Sequence, residues 1–217
     1  KALSIFNFLK KDNREKYELV DIGGGYGLFA DEFKKLSKKT DITLIEPSVY
    51  LSKILKKKQY KVISQFLEKI NKNQLSKKNK LFTCFELLEH VHDPYFFLKT
   101  IYKLMIKNDV LILTTLSGHG LDIVVLGKKS KAISPPQHLN FFNPFSLKLL
   151  LKKINFKNIN ITTPGKLDVS ILENNIKNIK DEFIINLLKE DKTVKQNFQN
   201  FISNNNMSSH MMISCTK

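Results

Sequence analysis

Arginine is nearly absent: Arg14 is the only one in a chain whose formal net charge is +16. Recognition of phosphates and base edges favours arginine's planar fork, so the lysine surplus reads as a solvated surface more than a nucleic-acid track. Cysteine is equally scarce. Cys84 and Cys215 have neither metal-type spacing nor a disulfide framework, and buried free thiols are the expectation. No apolar run approaches the length of a membrane span and no charged-then-apolar leader opens the sequence, which leads us to expect a soluble cytoplasmic protein. The first residue is Lys1 and not Met, as expected of a chain that continues upstream. With 217 residues and 42% hydrophobic content, one sizeable α/β core is the expected organisation.

What is present is concentrated in Tyr17–Gly27, YELVDIGGGYG. Leu19, Val20 and Ile22 read as a buried strand, and Gly23, Gly24, Gly25 and Gly27 as a turn too tight for side chains. A dinucleotide fingerprint would place glycine or alanine at residue 28, which is Leu. Asp21, directly before the glycines, would repel a pyrophosphate but can hold an ammonium.

The remaining pattern alternates strands and helices. Strands are expected at Asp41–Glu46, Tyr60–Ser64, Leu81–Glu86, Val110–Thr115, Phe156–Thr162 and His210–Cys215. Helices are expected at about Tyr26–Ser37, after Pro47-Ser48, after the Asp93-Pro94 cap and after Asn143-Pro144. Lys72–Lys80 reads as a surface helix end and loop, and residues 167–206 as two polar helices around Ile171–Lys189 and Val194–Ser203. Residues 117–140 form a long loop, with a short helix at Leu121–Leu126, at the carboxyl end of a strand where open α/β sheets bind ligands. The apolar set Leu3, Ile5, Phe6, Phe8 and Leu9 in segment 1–16 is expected to cover a ligand pocket or pack on the sheet. The predicted architecture is one α/β domain over 1–217 with a doubly wound sheet.

DIGGGYG resembles the first motif of class I S-adenosylmethionine-dependent methyltransferases, and CFELLEHVHDPYFFL resembles that family's stretch after strand four. The resemblance implies a Rossmann-like, seven-stranded, mostly parallel sheet with an antiparallel last strand. It also implies S-adenosylmethionine as cofactor and S-adenosylhomocysteine as product. Carried over residue by residue, the cofactor contacts are Asp21, Gly23, Gly24, Gly25, Gly27, Glu46, Pro47, Gln65, Phe66, Phe85 and Glu86. Glu46 would take the ribose hydroxyls. Gln65 and Phe66 would flank the adenine, although many members carry an acid at the place of Gln65.

Residues Ile133–Leu151 are similar to a subset acting on sugars or polysaccharide precursors, which implies a small polar acceptor such as a sugar or sugar nucleotide. Two histidines suit a base for a hydroxyl acceptor: His138 in the long loop, between Pro135-Pro136 and Phe141-Phe142, and His90 beyond strand four. Glu86, Glu89 and His90 also match a metal-assisting pattern of ubiquinone-pathway O-methyltransferases, but the wording is widespread in relatives without metal, and no metal is expected. An RNA methyltransferase and a cofactor-binding protein without catalysis remain as alternatives. Nothing bears on oligomeric state.

Overall fold

The computed structural model describes Ile5 and residues 17–217. Except for Ile5, the apolar set of the first 16 residues lies outside them; Ile5 is buried in the cluster that also holds Leu19, Phe33 and Leu44.

The sheet is built from β1 (Glu18–Ile22), β2 (Ile42–Ile45), β3 (Lys61–Ile63), β4 (Lys80–Phe85), β5 (Val110–Leu116), β6 (Lys157–Thr162) and β7 (His210–Thr216). Its order is β3-β2-β1-β4-β5-β7-β6. The pairs from β3 to β5 are parallel, and β7 runs antiparallel to both β5 and β6. This is the expected Rossmann-like sheet.

Helices cover both faces, which is why β1, β2, β4 and β5 are buried along nearly their whole length, whereas β7 alternates and β6, at the edge, is largely exposed. Val20 and Ile22 join one core cluster with α3 (Pro94–Leu104) and α5 (Pro144–Lys153), through Phe97, Ile101, Leu147 and Leu151. Leu19 turns to the other face, with Phe33 of α1 (Leu28–Leu36) and Leu55 of α2 (Val49–Lys57). Capping sets the helix starts: Asp93 accepts from Phe96 N–H at 2.8 Å and Asn143 from Ser146 N–H at 2.8 Å. Cys84 and Cys215 are buried free thiols.

Two expectations need correction. Lys80 belongs to no surface loop: it opens β4 with 1% exposure. Its Nζ donates to the carbonyls of Ser76 and Lys78 and lies 3.7 Å from the Asp109 carboxylate. The expected long helix at Ile171–Lys189 is interrupted, giving α6 (Asp168–Glu173) and α7 (Glu182–Lys189), followed by α8 (Lys192–Asn204). Asp181 starts α7 by accepting from Ile184 N–H at 2.9 Å.

Nor are these helices polar throughout. With α4 (Leu121–Leu126) they enclose a third core of Leu126, Val169, Leu172, Ile179, Ile184 and Leu188. Buried Asp168 ties this unit to the start of β7 by accepting from Ser208 Oγ, Ser209 Oγ and Ser209 N–H, each at 2.7 Å.

Candidate active site

The glycine turn leaves β1 at the carboxyl end of the sheet. Gly27 has φ +77°, and a Cβ there would come within 2.7 Å of a Leu55 methyl, so both conformation and space call for glycine. The turn is fastened to the neighbouring strand: Gly25 N–H donates to Glu46 Oε2 at 2.9 Å. Ser48 N–H donates to the other oxygen, Oε1, also at 2.9 Å. Glu46 is buried at the end of β2, with Pro47 half-buried behind it. The glycine motif and the strand-two acid, predicted separately, therefore meet.

Asp21 lies just under the turn, buried, and accepts from Thr83 Oγ1 at 2.6 Å. Burial pushes its carboxyl up to about 7, against the lowering effect of the Thr83 bond. Gln65 and Phe66 follow β3, whose last carbonyl, on Ile63, accepts from Glu46 N–H at 3.1 Å. Gln65 is exposed, and Phe66 leaves 60% of its surface uncovered at this edge. Phe85 ends β4 half-buried, edge-on to Phe29 at 4.7 Å between centroids. Glu86 is exposed; it accepts from Thr114 Oγ1 at 2.6 Å and lies 3.4 Å from His210 Nδ1. His210, the first residue of β7, thus reaches the same end of the sheet because β7 is antiparallel.

The second half of the site is assembled by the long loop. A single helical turn at Leu88–His90 follows β4 and carries buried Glu89, whose Oε2 accepts from Thr115 Oγ1 at 2.7 Å. Burial raises the pKa of Glu89 from its ordinary value, opposed by its hydrogen bonds. The loop is clipped to this turn by main-chain and Asn140 contacts. Leu139 N–H and Asn140 N–H donate to the Glu89 carbonyl at 2.7 and 3.2 Å. Asn140 Nδ2 donates to the carbonyls of Leu88 and Val91 at 3.2 and 2.6 Å.

The result brings the two predicted histidines together, with ring centroids 4.9 Å apart. His90 Nδ1 lies 2.7 Å from the Gln137 carbonyl and His138 Nδ1 lies 2.6 Å from the Ala132 carbonyl. A carbonyl only accepts, so each Nδ1 carries the hydrogen, and each neutral ring keeps its lone pair on Nε2. His90 is exposed and His138 half-buried. Of the expected apolar wall, Phe142 packs against the main core, whereas Phe141 stays 41% exposed.

Thr83, Thr114, Thr115 and Asn140 were missed from the sequence. The threonines had a signal, since they interrupt the apolar runs of β4 and β5 where those strands end; Asn140 had none.

Sheet order, glycine turn and strand-two acid together define the fold of a class I S-adenosylmethionine-dependent methyltransferase. The methyltransferase domain family matches residues 1–161, and the chain belongs to that family. No curated protein matches the sequence. Among solved structures, a methyltransferase dependent on S-adenosylmethionine from Archaeoglobus fulgidus is 16% identical, with TM-score 0.61 over 100% of this chain and 95% of that one. The plantazolicin methyltransferase BamL, solved with a desmethyl plantazolicin analogue and S-adenosylhomocysteine, is 17% identical, with TM-score 0.64 over 100% and 84%. A possible histamine N-methyltransferase from Thermotoga maritima is 19% identical, with TM-score 0.58 over 92% and 81%. Acceptors differ among these neighbours, so the likeness carries the fold and leaves the acceptor open. No helix among the described residues is long and apolar enough to cross a membrane.

Proposed function

We propose that this methyltransferase methylates a hydroxyl oxygen of a small polar acceptor, a sugar or sugar nucleotide, held beside His90 and His138. The carrying observation is that both imidazoles point a hydrogen at a backbone carbonyl, the tautomer that in the neutral ring leaves the lone pair on Nε2. Either lone pair can take the acceptor's proton, and the 4.9 Å ring separation supports both serving one bound molecule. We assign the role of base to His138, with His90 as its neighbour at the same oxygen.

The residues at the adjoining strand ends fit S-adenosylmethionine. Gly23, Gly24, Gly25 and Gly27 make a surface on which no Cβ stands between ligand and backbone, along the methionine part and the ribose. Glu46 keeps lone pairs beyond its two N–H donors for ribose hydroxyls, with Pro47 behind it. Asp21 offers buried negative charge to the ammonium, Gln65 and Phe66 flank the adenine, and Phe85 and Glu86 complete the lining. When bound, the cofactor supplies an electrophilic methyl group on a sulfonium. The protein's own part is alignment of the acceptor, exclusion of water and removal of one proton.

The test is turnover with labelled cofactor against a panel of sugars and sugar nucleotides. Methylation of a hydroxyl on one of them, lost in His138→Ala while S-adenosylhomocysteine still binds, is the expected result. Failure of the whole panel with normal cofactor binding would contradict the acceptor assignment.

A further inference from the structure

We propose that Glu89, His90 and His138 form a binding site for a divalent transition-metal cation. One donor atom from each lies within 4.8 Å of the other two, a spacing that a single ion can bridge with small side-chain rotations. This set differs from the one the sequence suggested, because Glu86 turns instead to Thr114 and His210. The third ligand comes from the long loop.

Three features make the group a built site. Each imidazole donates Nδ1–H to a main-chain carbonyl, of Gln137 and of Ala132, the outer contact that orients a metal-binding histidine and leaves Nε2 to the ion. The carboxylate of Glu89 is held by the Thr115 hydroxyl, and among the described residues no Lys or Arg approaches it. A buried carboxylate without a cation is unfavourable, and a bound ion offsets that. The loop carrying His138 is fastened to the Glu89 turn at Leu139 and Asn140, so the ligands are assembled before any ion arrives.

Two imidazoles and one carboxylate suit zinc, cobalt, manganese or iron better than magnesium or calcium, which favour all-oxygen shells. Three protein ligands leave at least one position open, the arrangement of a catalytic rather than a structural ion. That position opens where the acceptor is placed. A hydroxyl coordinated there would be made more acidic, and in the metal-free chain the imidazole lone pairs remain available as bases. The inference goes beyond the acceptor reading and does not need it, because the site is defined by its side chains alone.

The experiment is titration of the chelator-stripped full chain with cobalt(II), followed by visible absorption, in the wild type and in His90→Ala, His138→Ala, Glu89→Gln and His92→Ala. We expect one equivalent of cobalt with a ligand-field spectrum. Affinity should fall more than about tenfold in the first three variants and stay unchanged in His92→Ala. Because His90 is exposed and His138 is on a loop, those two substitutions test the site without disturbing the core. A wild type that binds no cobalt, or His90 and His138 variants that bind it like the wild type, would overturn the proposal. Neither result bears on S-adenosylhomocysteine binding or acceptor turnover, which test the methyl-transfer reading separately.

Discussion

At the amino end of the sheet, buried Asp109 lies 3.7 Å from the ammonium of Lys80 and accepts from two main-chain N–H groups; at the carboxyl end, buried Asp21 and Glu89 have a threonine hydroxyl each. Burial raises the pKa of all three. What differs is the compensation. Ionised Asp109 has a cation of its own, so its charge helps to join β4 to the turn before β5. Asp21 and Glu89 have no such cation among the described residues. Among the described residues these acids have no lysine of their own in a chain of net charge +16, an arrangement that suits groups meeting charges brought by ligands. One end is built for stability, the other at its expense.

The largest effect should come from breaking the compensated end. Asp109→Ala leaves buried Lys80 unpaired and strips two N–H donors of their acceptor, and urea unfolding should register a loss of about 3–5 kcal/mol.

The opposite sign is expected at Asp21. Its folded pKa of about 7 lies above the ordinary 3.8, so between those values the folded chain binds more protons than the unfolded one. Stability therefore falls as pH rises through that window. Asp21→Asn removes the loss, and at pH about 8 the cofactor-free variant should be more stable than wild type by roughly 2 kcal/mol, while binding cofactor more weakly. A variant less stable than wild type at that pH would break the comparison.

Smaller effects sharpen it. Gly27→Ala meets both a positive φ of 77° and a Leu55 methyl at 2.7 Å, and a stability loss of about 1–2 kcal/mol is expected in thermal unfolding, together with weakened cofactor binding. Asn140→Ala removes the side-chain clamp on Leu88 and Val91, with about 1 kcal/mol lost from the loop's attachment. Its expected signature is a raised acceptor KM with cofactor affinity unchanged.

The same division governs what was legible in the sequence. The glycine-turn half rests on local signals: a turn that only one residue type can form, apolar runs of strand length, and an acid at a strand's end. Those gave the sheet and brought Glu46 to Gly25. The short helix at Leu121–Leu126 and the caps at Asp93 and Asn143 were equally local.

Lys80 was misread because its lysine-rich neighbourhood looks solvated and its partner, Asp109, follows a whole helix later. The break between α6 and α7 did have a local signal, the Asn174-Asn175 pair and the capping Asp181, outweighed by the apolar periodicity on either side. His90 and His138 were named individually, but their meeting depends on loop carbonyls and on Asn140, which no spacing rule encodes.

The central claim is that the two acids at the glycine turn, buried Asp21 beneath it and Glu46 fastened to it, serve the cofactor. Calorimetric titration of S-adenosylhomocysteine into the wild type, Asp21→Asn and Glu46→Gln tests it most directly. The account predicts binding to the wild type and at least about tenfold weaker binding to each variant, a difference of 1.4 kcal/mol or more, with both variants folded. Wild-type affinity retained in both variants would contradict it.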